Sequence, residues 1–302
     1  MAYLSMIDFF KDSTDNPADE FTYTVTGSDG SFDINRPITN GMTRNLGTKA
    51  RFIPNVLSHP FVLVISVNSA ESSTTFDTEK FIDCMALLGH NLETDDTIRF
   101  TTSYVGGSTS TQQHTVVGRT DKFNSDFFYV RKHGFVPTDI KVEIVKVSGD
   151  LFIDFGRLWA GNTWDLGDPV NDGTSNIMDQ GFKIGMVKGA KSIRSRGAQS
   201  YSNHETPLKS LKATIRTIDE SELIGEFTKT MSGTNSFLNL INKLENGDEV
   251  IFIPREFTEL TTKNWLWSQR FGIYGESSAA SHTIDQDSSI QFSLNLNLIE
   301  LL

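Results

Sequence analysis

Residues 151–164 read LFIDFGRLWAGNTW, and residues 165–196 continue DLGDPVNDGTSNIMDQGFKIGMVKGAKSIRSR. The first five residues form an apolar run that predicts a β-strand, and a segment with two tryptophans follows it. A loop rich in Gly, Asp and Asn then leads into a basic segment. Because the sequence before this stretch differs in character from the sequence after it, we interpret 151–196 as the junction between two domains.

The sequence before residue 151 predicts an antiparallel β-sandwich, in particular a jelly roll. Short alternating or apolar runs are separated by turn-forming residues, and no convincing amphipathic helix interrupts them. The runs at 61–67 and 81–88 are almost continuously apolar, which is typical of strands covered on both faces. The 22 Phe residues suit the inner faces of such a sandwich. The predicted strands are 21–26, 50–53, 61–67, 81–88, 97–104, 114–118, 127–130, 140–147 and 151–155.

The sequence after residue 181 predicts a β-rich α+β domain with a short helical insertion. Asp219 followed by Glu222 has the spacing of a capping box, so helices are predicted at 220–231 and 235–244. The predicted strands are 182–188, 208–217, 250–254, 265–274 and 289–298. The predicted organisation is an N-terminal arm (1–20), the sandwich (21–160), a linker or loop (161–181) and the α+β domain (182–302).

Composition excludes several classes of protein. The chain has 27 basic and 38 acidic residues and a net charge of −11, which argues against a nucleic-acid binder. The single cysteine, Cys84, cannot form an intrachain disulfide, so folding in a reducing cytosol is expected. We see no signal peptide and no apolar run long enough for a membrane span.

No catalytic, metal or cofactor site is predicted. The six histidines are scattered without metal-ligand spacing, and no nucleophile elbow, phosphate loop or dinucleotide fingerprint is present. Four aspartates in the loop after Trp164 do not match a calcium loop. They are Asp165, Asp168, Asp172 and Asp179. We therefore expect a protein that is not an enzyme.

Four residues are candidates for contact with a glycan. Trp159 and Trp164 could form a platform for a sugar ring, or they could close the core where the two domains meet. His90 and Asn91 follow Gly89 just beyond a buried strand, and they could contact sugar or hydrogen-bond loop backbone.

The segment 183–216 is strongly basic, with eight basic residues and one acidic residue. One interpretation is the solvated polar face of exposed strands. A second is a subunit interface that meets acidic surface on the next copy and so sets the register of a ring. Nucleic-acid contact ranks third, since no aromatic residues interleave with the basic ones. The predicted interface residues are Lys183, Lys188, Lys191, Arg194 and Arg196.

Several stretches resemble β-sandwich virion proteins of tailed bacteriophages. They are DCMALLGHNL at 83–92, DTIRF at 96–100, FGRLWAGNTW at 155–164, KSIRSRGAQ at 191–199 and EVIFIP at 249–254. Together they span most of residues 80–255, with departures from the family's pattern at Asn162 and Ala198.

The resemblance implies a virion structural component, at the tail tip or baseplate, with a galactose-binding-like sandwich on its N-terminal side. It implies no catalytic residue. The expected partners are other virion or tail proteins and further copies of the chain in a ring, in a virion assembled in the host cytoplasm. The alternative is a carbohydrate-binding module that contacts glycan on the host surface.

Overall fold

The computed structural model describes the chain in segments. These are residues 3–5, 21–25, 29–44, 46–67, 84–93, 95–104, 109–115, 127–130, 137–147, 149–161, 164–165, 182–187, 191–194, 200–203, 208–218, 237–254, 271–278, 284–286 and 292–301. The described residues are mainly strand. Strand pairs such as 61–66 with 139–144, 84–88 with 157–161 and 210–215 with 294–299 are antiparallel.

The chain divides into two compact units. One comprises Ser5–Thr163 and Pro254–Arg270, and the other comprises Met1–Leu4, Trp164–Ile253 and Phe271–Leu302. The first unit contains the predicted sandwich, and the second contains the predicted α+β region together with the first residues of the chain. The arm at 1–20 and the linker at 161–181 remain predictions, since most of their residues lie outside the described segments.

The first unit is an antiparallel β-sandwich. One layer is a five-stranded sheet made of strands 21–25, 61–67, 137–145, 97–104 and 109–115 in that order. The opposing strands form two three-stranded sheets. One has the order 153–155, 50–54, 30–32, and the other has the order 157–161, 84–88, 127–130. The chain passes repeatedly from one layer to the other, which is typical of jelly rolls. The elements are β2 (Phe21–Val25), β3 (Gly30–Phe32), a 3-10 turn (Ile38–Met42), β4 (Ala50–Pro54), β5 (Phe61–Val67), β6 (Cys84–Leu88), β7 (Thr97–Tyr104), β8 (Thr109–Thr115), β9 (Phe127–Val130), β10 (Pro137–Val145), β11 (Ile153–Phe155) and β12 (Arg157–Gly161).

The core of the sandwich is built from the inward-facing positions of both layers. Phe61 of β5 lies 5.1 Å from Phe52 of β4 and 6.1 Å from Phe155 of β11, measured between ring centroids. Edge-to-face contact with Phe32 extends this aromatic group. The strands β6 and β12 are buried at every position, so they are covered on both faces, as predicted for the apolar run that contains β6.

The second unit contains an eight-stranded sheet with one described helix. Seven of its strands are 164–165, 3–5, 250–253, 273–277, 292–300, 208–218 and 182–187 in that order, and the eighth, 284–286, pairs with 292–300. The hairpin β15-β16 forms a separate two-stranded sheet. The elements are β1 (Tyr3–Ser5), β13 (Trp164–Asp165), β14 (Phe182–Val187), β15 (Lys191–Arg194), β16 (Ser200–Asn203), β17 (Leu208–Ile218), α1 (Phe237–Glu245), β18 (Val250–Ile253), β19 (Ile273–Ser277), β20 (Ile284–Gln286) and β21 (Phe292–Glu300).

The predicted elements agree best where the hydrophobic pattern is strong. The strands at 61–67, 97–104 and 127–130 are confirmed, and the helix predicted at 235–244 is α1. The helix predicted at 220–231 lies outside the described residues. The strand predicted at 114–118 overlaps β8 at residues 114–115, but the sequence missed that β8 begins at Thr109, because residues 109–113 are polar and show no apolar alternation; residues 116–118 lie outside the described segments. The strand β12 was not predicted, since its wholly buried sequence has no alternation either.

One buried ion pair ties two strands of the second unit together. Lys209 of β17 shares the inward face with Leu211, and its Nζ lies 3.1 Å from Oε1 of Glu300 on β21. The same Nζ donates to the carbonyl of Gly272 at 3.1 Å. The backbone N–H of Lys209 donates to Oε2 of Glu300 at 2.8 Å, so both carboxylate oxygens are used.

Replacing this lysine should therefore destabilise the second unit. We expect Lys209→Met to lower the free energy of unfolding by about 3–5 kcal/mol, because Glu300 would be left buried without its cation. Lys212→Met is the matched control, since Lys212 is exposed on the opposite face of the same strand. That change should stay within about 0.5 kcal/mol. Chemical denaturation of both variants measures the difference, and equal losses would contradict a special role for the pair.

Candidate functional site

The GHN sequence at 89–91 forms a turn that packs against β11. Gly89 has a φ of 61°, a left-handed conformation that favours glycine. The N–H of Gly156 donates to the carbonyl of Leu88 at 2.8 Å, and Nζ of Lys49 donates to the carbonyl of Gly89 at 3.0 Å. The two stretches that resemble one family, 83–92 and 155–164, are thus hydrogen-bonded to each other.

Asn91 fastens this turn to the start of β11. Its Oδ1 accepts from the N–H of Asp154 at 2.8 Å, and its Nδ2 donates to the carbonyl of Phe152 at 3.1 Å. Its own N–H donates to the carbonyl of Asp154 at 3.1 Å. His90 is buried, and its Nδ1 accepts from the N–H of Leu92 at 3.2 Å. Both side chains thus hydrogen-bond loop backbone, the second of the two roles that the sequence left open for them, and contact of His90 and Asn91 with glycan stays a prediction.

Trp159 is not part of an exposed platform. Trp159 lies in β12 and is only 1% exposed, and its Nε1 donates to Oγ of Ser5 at 3.0 Å. It therefore presents no ring face to a ligand, contrary to the glycan contact predicted for it. Trp164 pairs with Leu4 through its strand, but its side chain lies outside the described residues, so its role stays a prediction.

The structure instead exposes a mixed polar and apolar surface on the sheet β3-β4-β11. In β4, Phe52 points into the core, so its neighbours Arg51 and Ile53 point outward. The register places Ser31 of β3 opposite Ile53, and Asp154 of β11 opposite Arg51. Continuing this alternation defines what we call the outer face: Asp29, Ser31, Asp33, Arg51, Ile53, Asn55, Phe152 and Asp154.

One end of the outer face is an arginine–carboxylate cluster. Arg51 donates from Nε and Nη2 to the two oxygens of Asp154, each at 2.7 Å, and its guanidinium carbon lies 3.8 Å from the ring centroid of Phe152. Nη1 of Arg36 lies 3.5 Å from the same carboxylate and its side chain is 43% exposed. The hydrogen bonds to Asp154 raise the pKa of Arg51 above its ordinary value, against the opposing effect of burial. The guanidinium therefore stays charged throughout the neutral pH range.

The other end is a cluster of planar polar side chains. Nδ2 of Asn55 donates to one carboxylate oxygen of Asp29, and Nδ1 of His59 lies 2.6 Å from the other without the alignment of a hydrogen bond. The exposed Ser58 beside them has a φ of 78°, which is uncommon for a residue with a side chain. Its N–H donates to the carbonyl of Lys146 at 2.9 Å, which holds this loop against the end of β10.

Between the two ends lie Ser31, Ile53 and Phe152, so two of the three residues at the centre of the outer face are apolar. Ile53 is 39% exposed, and Phe152 beside it is partly exposed. An apolar centre between two groups of fixed hydrogen-bonding side chains suits a small ligand that has both an apolar face and several hydroxyl groups. Sequence reasoning missed this site, although an isoleucine at an outward position of the predicted strand at 50–53 was a signal for it.

The predicted basic interface is described at few positions. Lys183 is exposed on β14. Lys191 and Arg194 lie in β15, but the structure does not describe their side chains. Lys188 and Arg196 lie outside the described residues. The interface therefore stays a prediction at this stage.

Two further features concern the described residues alone. Among them, no three His, Cys, Asp or Glu side chains come together in a way that could hold a metal ion. They also contain no helix with the length and hydrophobicity that a membrane span needs.

Comparison with known proteins gives limited similarity. No protein-family model and no curated protein matches the chain. Among solved structures, the family 32 carbohydrate-binding module of Clostridium perfringens NanJ, in complex with galactose, aligns with a TM-score of 0.33 and 12% identity over 52% of this chain and 98% of that module. The Clostridium perfringens module CpGH89CBM32-4, in complex with GlcNAc-alpha-1,4-galactose, aligns with a TM-score of 0.28 and 12% identity over 47% of this chain and 95% of that one. TM-scores this low do not define the function of this chain.

Removing the Asn91 side chain tests its structural role. We expect Asn91→Ala to lower the free energy of unfolding by about 2–3 kcal/mol, because the N–H of Asp154 and the carbonyl of Phe152 lose their partners. Asn35→Ala is the control, since Asn35 is an exposed residue in the turn after β3, and it should change stability by less than about 0.5 kcal/mol. Thermal and urea unfolding measure both, and a neutral Asn91→Ala would show that water satisfies these groups.

Proposed function

We propose that the sandwich unit binds a neutral carbohydrate on the outer face and catalyses no reaction on it. The observation that carries the proposal is the exposed apolar centre, Ile53 with Phe152, flanked by the arginine–carboxylate cluster and by the Asp29 cluster. The carbohydrate-binding modules that align with about half of this chain hold galactose and a galactose-containing disaccharide, and they supply suitable probe sugars.

The chemistry of a hexose matches this arrangement. The C–H groups on one side of a pyranose ring make an apolar surface that packs on aliphatic and aromatic side chains, while the hydroxyl groups at its rim donate and accept hydrogen bonds. Arg36 can donate to a hydroxyl oxygen, and the carboxylate of Asp29, half exposed, can accept from a hydroxyl group. Arg51 has used Nε and one Nη2 proton on Asp154, and its Nη1 has no described partner.

Charge favours a neutral sugar over an anionic one. The charged residues on and beside the outer face that count here are two arginines and three aspartates: Arg36, Arg51, Asp29, Asp33 and Asp154. The carboxylate of Asp154 forms ion pairs with both arginines. The whole chain carries a net charge of −11, which disfavours polyanionic glycans. Binding should therefore depend weakly on salt, unlike binding that rests on ion pairs.

The test is binding to a glycan array that displays galactose-terminated, N-acetylglucosamine-terminated and sialylated glycans, followed by calorimetry with the best neutral hexose. We expect Ile53→Ser to weaken binding about tenfold or more, because it removes the apolar centre without touching the charge clusters. Leu238→Ser on α1 is the matched control, since Leu238 is 40% exposed, and it should bind like the unchanged chain. Absence of binding to every neutral glycan, or equal affinity of Ile53→Ser, would overturn the proposal.

The second candidate is a non-enzymatic structural component of a tailed-phage virion, at the tail tip or baseplate. Its support is the resemblance of residues 83–92 and 155–164 to virion proteins, together with the hydrogen bond from Gly156 to Leu88 and the pairing of β6 with β12. These bonds make the two stretches parts of one local structure, so the resemblance extends over a coherent piece of the sandwich. A glycan-binding outer face is compatible with a virion part that contacts host surface sugars.

This candidate predicts that the chain is present in purified particles. Mass spectrometry of density-purified virions from a host that carries the gene should detect it at a fixed ratio to the tail proteins. Its detection only in the cell lysate, with other tail proteins present in the particles, would reject a virion role. That result would leave carbohydrate binding by the outer face untouched.

A further inference from the structure

Lys146 is a lysine that is buried just beyond the end of β10. Its side chain is 1% exposed, and its Nζ lies 3.6 Å from Oδ2 of Asp96, which is itself buried. The same Nζ donates to the carbonyl of Asn91 at 3.3 Å and lies 4.0 Å from Oε1 of Glu93. An apolar side chain of similar volume often stabilises a fold as well as a buried ion pair does, because removing charges from water is costly. A role in positioning other groups would account for a lysine at this place.

Both carboxylate oxygens of Asp96 accept backbone hydrogen bonds. Oδ1 accepts from the N–H of Val147 at 2.8 Å, and Oδ2 accepts from the N–H of Glu93 at 2.7 Å. These bonds join the end of β10 to the turn that follows Asn91. Asp96 therefore holds the ammonium group of Lys146 at a fixed place beside this turn.

The side chain of Lys146 is connected to the arginine–carboxylate end of the outer face through Asn91. Its Nζ binds the carbonyl of Asn91, and the side-chain amide of Asn91 binds the N–H of Asp154 and the carbonyl of Phe152. The carboxylate of Asp154 in turn accepts two hydrogen bonds of 2.7 Å from Arg51. A continuous series of contacts thus runs from the ammonium group to the guanidinium.

The backbone of Lys146 is connected to the Asp29 cluster at the other end. Its carbonyl accepts from the N–H of Ser58 at 2.9 Å, and His59 is the next residue in the chain. His59 and Asn55 both contact the carboxylate of Asp29. Lys146 therefore contacts the supports of both ends of the outer face.

We propose that Lys146 is a positioning residue that sets the separation of the two ends of the outer face. Since the apolar centre lies between these ends, their separation decides which ligands can contact both at once. The inference deepens the proposed function, on which its consequence for sugar binding rests. The positioning itself requires no sugar, so it can be measured on the chain alone.

Nuclear magnetic resonance of the full chain without ligand tests the positioning. We expect Lys146→Met to shift the signals of Arg51 Nε–H and of the Ser58 N–H, and to speed their exchange with solvent about tenfold. Val142→Ala is the control for lost stability, since Val142 is a core residue of the same strand, β10. It should leave both signals in place.

Calorimetry with the best neutral hexose from the glycan array tests the consequence for binding. We expect Lys146→Met to weaken binding about tenfold, while Val142→Ala should bind like the unchanged chain. If Lys146→Met does not fold, Lys146→Arg takes its place, because arginine keeps the cation beside Asp96 and changes the geometry of the donors. The same two signals should then shift.

The outcomes separate this inference from the proposed function. Unchanged Arg51 and Ser58 signals in a folded variant of Lys146 would overturn the inference, and so would equal changes in Val142→Ala. Equal hexose affinity of the unchanged chain and the Lys146 variant would also overturn it. A chain that binds no neutral sugar, but whose two signals shift in the Lys146 variant, would reject the proposed function and support the positioning by Lys146.

Discussion

The sandwich depends on the side-chain amide of Asn91. The amide satisfies the N–H of Asp154 and the carbonyl of Phe152 from a turn that is distant in sequence, so it fixes the start of β11 against the end of β6. Without it, two polar backbone groups next to the core would lack partners, which is costly in a partly buried position. Because Ile153 and Phe155 belong to the hydrophobic core, the position of β11 also decides how the two layers pack.

Asp154 connects the hydrogen bonds of Asn91 to the outer face. Its backbone is held by Asn91, while its side chain points outward and accepts both hydrogen bonds of the Arg51 fork. The fork lies over Phe152, so the cation, the carboxylate and the ring restrain one another. Such mutual restraint lowers the entropic cost of binding a ligand, since the side chains are already ordered. The outer face is thus preorganised by the same residues that close the core.

The sequence allowed the fold class to be predicted but not the site. Strands such as β5 and β7 follow from long apolar or alternating runs, which are local signals. The outer face is not local, because Asp29, Ile53 and Phe152 become neighbours only through the register of three strands. The tryptophan-rich segment drew attention for its composition, yet Trp159 is buried, since a fully covered strand carries large residues on both of its faces. Burial on two faces cannot be distinguished from a binding platform by residue type.

The position of β1 has a consequence for the order in which the chain folds. Among the described strands this one is made first, yet it lies inside its sheet, between β13 and β18, which are made later. The sandwich can form as soon as β12 is available, because its described strands come from one continuous part of the chain. The second sheet is complete only when β21, the last described strand, has been made, and such long-range strand pairing is slow. Until β13 and β18 are made, Tyr3–Ser5 has no partner in this sheet, and its backbone hydrogen-bonding groups stay open to chaperones or to neighbouring chains.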